Sequence, residues 1–218
     1  SYEGIIGCMD PLAVDYDSNA WVEGECSYEG RNYSLDFDGV DDRVEVPDSD
    51  DWVFGLEDFT YSFWIKVSDP LYDYSPEEMP ILGQNDDNQP TPGNLFVLTP
   101  GNMIAYRFHA HWNNMHEVWI PFTPQDSWQH VALVRNDGVF YGYVNGALVV
   151  TNTENSDVSL VDINQPFDIG MFRRVYSGWH FFRGSLSDIA IFNREHSQSE
   201  LLNYVRNGVD TTDENLIA

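Results

Sequence analysis

The chain has 218 residues, with 36 Asp and Glu against 10 Lys and Arg, and a formal net charge of −26. Acidity on that scale repels phosphate backbones and anionic lipid heads, which argues against nucleic-acid and membrane partners. With 42% hydrophobic and 15% aromatic residues, the chain can fill the core of one large all-β domain carrying a small appendage.

Ser1 opens directly into Tyr2-Glu3-Gly4, and the expectation is either a removed leader or an excised domain. Residues 1–30 show little apolar periodicity and read as an acidic knob. Cys8 and Cys26 frame its Gly-, Asp-, Asn- and Pro-rich loop, and neither lies in an apolar run, so a disulfide between them is expected. Closing a loop of that length stabilises by about 3 kcal/mol in the chain-entropy model. It also implies an oxidising compartment, outside the cell or on its surface.

From residue 31 to residue 218 the pattern changes to short alternating or apolar runs broken by turns. Strands are expected at Tyr33–Phe37, Arg43–Val46, Phe59–Val67, Leu95–Leu98, Met103–His109, Glu117–Phe122, Trp128–Arg135, Val139–Val144, Ala147–Thr151, Phe167–Ile169 and Gly184–Phe192. Asn145-Gly146 is a strong hairpin signal, and Asn113-Asn114 suits a second turn. The acidic, Pro-rich stretch Asp69–Gly93 reads as one long loop. A single helix follows Ser197, where Ser197-x-x-Glu200 forms a capping box and Gly208 stops the run. No apolar run reaches the length of a membrane span. The expectation is an all-β antiparallel sandwich of jelly-roll type, with one short C-terminal helix and an N-terminal disulfide-closed knob.

Several strings resemble the laminin-G-like family of the concanavalin A-like lectin and glucanase fold: LDFDGVDDRVEV (35–46), FTYSFWIKV (59–67), WQHVALVR (128–135), YGYVNGALV (141–149), FDIG (167–170) and FRGSLSDIAIFNREHSQSEL (182–201). They occur in the family's order across most of residues 33–206. The resemblance implies the fold strongly and the function weakly, because this fold hosts lectins, adhesion modules, hydrolases and lyases. In the knob, GCMDPLAVDYDSNAWVEGEC (7–26) is similar to cysteine-bounded repeats beside adhesion modules and to the calcium loops of thrombospondin type 3 repeats.

Two places have calcium-like chemistry. Asp15-x-Asp17-x-Asn19 spaces oxygen ligands like the start of an EF-hand loop, with Glu23 as a further ligand. Ala20 departs from that pattern at the turn glycine, and Cys26 at the closing Glu. Asp38, Asp41 and Asp42 crowd one turn, and the resemblance places Asp188 on a strand returning near the first, where related folds hold structural calcium. The alternative at each place is an Asx turn with solvated carboxylates.

The acids are unevenly spread. None occurs from Asn88 to His116, a window holding Tyr106, Arg107, His109, His111, Trp112, Asn113, Asn114 and His116. None occurs from Ile169 to Ser187, which holds Arg173, Arg174, Tyr176, Trp179, His180 and Arg183. Aromatic faces stack on sugar rings, while Asn, His and Arg read hydroxyl, carboxylate or sulfate groups. These windows are the candidate site for a glycan or polysaccharide, including an anionic one. His109-x-His111 with His116 across the turn also permits a zinc reading, without an acidic or thiolate partner nearby. His130 lies in an apolar strand and reads as a core residue.

No motif for catalysis stands out. The Glu-x-Asp-x-x-Glu string of this fold's hydrolases is absent, as are a Gly-x-Ser-x-Gly elbow and a His-Glu-x-x-His helix. The sequence therefore points to a non-catalytic binding module, glycan-binding or adhesive, within a larger secreted or surface protein and stabilised by calcium. The rival readings are a structural spacer or protein-interaction domain of a surface or virion assembly, and a polysaccharide hydrolase or lyase.

Overall fold

The computed structural model describes residues 5–9, 13, 15–24, 33–67, 78–85, 93–111, 114–174 and 178–218. In the N-terminal segment, β1 (Ile6–Gly7) runs parallel to β2 (Val22–Glu23). The strands that follow are β3 (Leu35–Asp38), β4 (Val44–Val46), β5 (Phe59–Val67), β6 (Met79–Asn85), β7 (Gly93–Thr99), β8 (Met103–His111), β9 (Asn114–Pro121), β10 (Gln129–Asn136), β11 (Val139–Val144), β12 (Ala147–Asn152), β13 (Phe167–Ile169), β14 (Met171–Arg174), β15 (Gly178–Phe181) and β16 (Arg183–Phe192). The helix α1 (Gln198–Asn207) comes last.

Two antiparallel six-stranded sheets face each other, ordered β12-β11-β10-β5-β16-β3 and β4-β13-β6-β7-β8-β9. Strand alternation builds the core between them. Phe59, Tyr61, Phe63, Ile65 and Val67 of β5 meet Phe96 and Leu98 of β7, Ile104, Tyr106 and Phe108 of β8, and Val118 and Ile120 of β9. Each such apolar side chain, fully buried, contributes about 1.5–3 kcal/mol.

The first sheet is covered on its other face too. Leu201 and Tyr204 of α1 pack on Ala132, Val134, Tyr143, Ala190 and Phe192. That is why Thr60, Ser62 and Trp64, which alternate with the core residues of β5, are buried as well. His130 lies on this covered face, buried, with Nε2 2.8 Å from the hydroxyl of Ser62. The C-terminal tail completes the edge: β3 pairs with Arg183–Leu186 of β16, and further along Ile191 donates its N–H to Ala218 O at 2.7 Å.

Local signals act where expected. Asn145 and Gly146 both take positive φ, 51° and 74°, in the tight turn between β11 and β12. The Ser197 hydroxyl accepts from the Glu200 N–H, and the Glu200 carboxylate accepts from the Ser197 N–H at 2.8 Å.

Two expectations need correction. The stretch Asp69–Gly93 is not one loop, because β6 lies inside it, between β13 and β7. Pro80, which cannot donate to a ladder, sits where the register to β7 shifts. The second acid-free window also contains a hairpin of its own, β14 paired with β15. In the knob, Cys8 is buried and its carbonyl accepts from the Asp17 N–H at 2.8 Å. Cys26 lies outside the described residues, among which no free cysteine occurs.

Candidate ligand-binding face

The second sheet has one face in the core and one face turned away from it. Alternation sends Leu95 and Val97 of β7, Ala105 and Arg107 of β8, and Glu117 and Trp119 of β9 to the outward face. Gly170 determines what lies over that face. It follows β13 at φ 81°, and a Cβ there would stand 2.2 Å from Phe37 Cε1, so only glycine fits. The Gly170 N–H donates to Ile81 O at 2.8 Å, and its carbonyl accepts from the Phe182 N–H at 2.7 Å. Between those two bonds the chain leaves the sheet as the β14–β15 hairpin. Phe172 of the hairpin clusters with Leu95, Val97 and Ala105, and His180 stacks on Phe172 at 5.3 Å and 10°. The two acid-free windows therefore meet on one face.

Several expected site residues have other roles there. Tyr106 points inward and is fully buried against Phe96, Phe108 and Phe140, so it cannot touch a ligand. Burial pushes its hydroxyl pKa well up. Arg107 does lie on the outward face, but it is not a free cation. Its guanidinium bonds the Glu78 carboxylate through both terminal nitrogens, and its Nε donates to Glu117 Oε1 at 2.7 Å. Burial pulls the Arg107 pKa down, and the bonds to Glu78 and Glu117 outweigh it, holding the group above its ordinary value. His109 is buried, with Nδ1 3.0 Å from the Gly93 nitrogen, and desolvation lowers its pKa.

The zinc triplet is not assembled. His109 pairs across from Met115, whereas His116 pairs with Phe108, stacks on its ring and puts Nδ1 2.9 Å from Asn155 Oδ1. The hairpin register sets Arg173 opposite Trp179. The side chains of His111, Arg173, Arg174 and Trp179, and all of Trp112, Asn113 and Tyr176, lie outside the described residues.

Trp119 and Glu78 belong to this face although neither stands in an acid-free window. Trp119 is 40% exposed on β9, a sheet edge. Its signal was in the sequence: in Glu117-Val118-Trp119-Ile120 the indole alternates with two core residues.

Of the metal candidates, Asp38, Asp41 and Asp42 do converge, with one oxygen of each within 4.8 Å of the others. Asp42 Oδ2 accepts from the Asp38 N–H at 3.0 Å, and Asp38 Oδ1 accepts from the Val40 N–H at 2.7 Å, so the turn itself presents these carboxylates. Asp188 is not with them. Asp38 pairs with Arg183, and Asp188 lies five residues further along β16, roughly 17 Å away at strand rise. In the knob, Asp17 Oδ1 accepts from the N–H and the side-chain amide of Asn19, at 2.9 and 3.2 Å, the geometry of an Asx turn. Asp15 is exposed beside them, and the Glu23 side chain lies outside the described residues.

Two facing antiparallel sheets define the class as a jelly-roll β-sandwich. The sequence agrees: residues 38–202 match the family model of the concanavalin A-like lectin/glucanases superfamily, and the chain belongs to that family. No curated protein matches it. Among solved structures, it is similar to the botulinum neurotoxin serotype G binding domain, with a TM-score of 0.54 and 16% identity over 80% of this chain and 45% of that one. It is also similar to the binding domain of Paraclostridial Mosquitocidal Protein 1, with a TM-score of 0.57 and 16% identity over 79% and 45%. A third similar structure is the Ruminococcus gnavus IT-sialidase CBM40 bound to alpha2,3 sialyllactose, with a TM-score of 0.57 and 13% identity over 79% and 98%. Identities this low establish a shared fold and nothing finer. The chain spans less than half of each toxin domain, and nearly all of the CBM40.

Proposed function

We propose that the chain is a non-catalytic, glycan-binding or adhesive module of a larger extracellular or surface protein. The observation that carries this reading is the packing of Phe172 on Leu95, Val97 and Ala105, which joins both acid-free windows on one outward face. The fold shared with a carbohydrate-binding module and with toxin binding domains supports it.

Two features accompany the reading. Asp38, Asp41 and Asp42 supply hard oxygen ligands on one short turn, which suits calcium completed by water. Cys8 and Cys26 close the knob as a disulfide, consistent with an oxidising location. Alkylation of both thiols in unreduced protein would remove that pairing.

The test is a glycan array, probed with the intact chain and with the Trp179→Ala and Arg173→Ala variants. Discrete hits sharing one sugar, weakened in the variants, support the module. Silence across the array favours the spacer reading. Glu78 and Glu117 converge on Arg107, so a hydrolase would draw on them. Release of reducing sugar that disappears in Glu117→Gln would replace the binding reading with an enzymatic one.

A further inference from the structure

We propose that the outward face of the second sheet takes a neutral pyranose, stacked on Trp119 and hydrogen-bonded through its hydroxyls to Glu117. This rests on the glycan-binding reading and names the sugar class.

Position comes first. β9 is the terminal strand of its sheet, so Trp119 has a sheet neighbour on one side only. That neighbour is Ala105, whose methyl group is too small to sheath an indole. Trp119 stays 40% exposed on a sheet whose opposite face is fully packed. Met115, on the same strand and face, is 51% exposed. A wide, flat aromatic surface left open beside a polar row is the arrangement that stacks on the C–H face of a sugar ring.

Charge then selects among sugars. Glu117 lies two residues from Trp119 on the same face. Its Oε1 accepts from Arg107 Nε at 2.7 Å, and among the described residues no hydrogen bond engages Oε2. A carboxylate accepts only, with about four lone-pair sites, so Oε2 is an acceptor waiting for a donor. A sugar hydroxyl is a donor, whereas an ionised sugar carboxylate or sulfate is not.

The guanidinium does not reverse this preference. Its single positive charge is already shared between the Glu78 and Glu117 carboxylates. The whole chain carries a net charge of −26. An anionic sugar on Trp119 meets the Glu117 carboxylate at short range, and a neutral one meets an acceptor matched to its hydroxyls.

The test is calorimetric titration of the intact chain with matched neutral, sialylated and sulfated oligosaccharides at about 0.15 M salt, where distant charges are screened. The neutral member of each bound set should bind at least tenfold more tightly than its anionic counterparts. Trp119→Ala should weaken binding tenfold or more, and Trp119→Phe should recover part of it. Glu117→Gln should narrow the gap between neutral and anionic sugars, because it removes one charge and keeps an acceptor. Circular dichroism and melting confirm folding of each variant. Preference for anionic sugars, abolished by Arg173→Met or Arg174→Met, overturns the neutral class and leaves the glycan-binding reading standing. Unchanged affinity in folded Trp119→Ala removes the site. No binding to any sugar overturns both.

Discussion

Nε2 of His196 lies 2.8 Å from the hydroxyl of Tyr204, and both side chains are buried against the ring of Phe192. Next to them, Arg194 bonds Glu200 at 2.9 Å and Asp213 at 2.8 Å, joining the helix start to the C-terminal tail. His196 is held down at about 4, first by burial and then by the charge of Arg194. The unfolded chain therefore takes up a proton that the folded chain refuses. Stability should fall as pH drops from about 6.5 to about 4, by a few kcal/mol in all, with no further loss from this group below that range.

The carboxylates of the same cluster act in a lower window. Asp213 is held at about 2, first by the Asn215 N–H and then by Arg194. Burial pushes Glu200 up, but its bonds to Ser197 and Arg194 outweigh that and hold it at about 2. Their contribution is complete above the ordinary carboxylate range and is lost as pH falls through about 2. Thermal melts from pH 7 to pH 2 should show two successive declines. In His196→Gln the first should shrink to the smaller part that buried His109 contributes, and the second remain.

Arg135 is fully buried, with its guanidinium 5.4 Å above the Phe140 ring. It donates to the carbonyls of Gly55 at 2.8 Å and Val158 at 3.0 Å, tying two loops to β10. Arg135→Met fills similar space but strands those acceptors, which should cost about 2–4 kcal/mol. Urea denaturation should show a lower midpoint with an unchanged slope. A midpoint equal to that of the parent would mean that water satisfies the carbonyls in the variant.

Periodicity made some elements readable and hid others. Phe59–Val67 and Val139–Val144 coincide with their strands because apolar and β-branched residues dominate them. β6 was obscured by Pro80, Gly83 and an acidic approach, although its Ile81 and Leu82 are core residues. Composition alone groups Tyr106 with the ligand-like residues of its window. Its alternation with Ile104 and Phe108 already placed it inward. The neutralisation of Arg107 could not be read, because Glu78 lies 29 residues away and meets it only across the folded sheet.

Gly170 combines a left-handed φ of 81° with a Cβ direction that points into Phe37. Gly170→Ala should therefore destabilise through both strain and overlap, by about 2 kcal/mol or more. Because Gly170 launches the β14–β15 hairpin, Phe172 should also loosen from Leu95 and Val97. Hydrogen exchange should show faster amides at 171–181 than in the parent, while those of β5 and β10 stay protected. Uniform loss of protection would instead mean that the residue supports the whole sandwich.

Calcium should raise the melting temperature through Asp38, Asp41 and Asp42. These carboxylates are brought within 4.8 Å by a turn that also uses them as amide acceptors, so like charges are held together by local geometry. A divalent cation relieves that repulsion, and calcium tolerates the irregular, water-completed oxygen shell that three exposed carboxylates can offer. Binding only to the folded chain at a hundredfold excess over Kd adds about 2.7 kcal/mol. Melts at low salt should therefore shift up with calcium and return with chelator. Asp42→Asn should abolish most of the shift, and Asp188→Asn should leave it intact, since Asp188 stands further along β16. A shift that survives Asp42→Asn would move the site elsewhere, with the Asp15, Asp17 and Asn19 loop next in line, and Asp17→Asn would then be the variant that removes it.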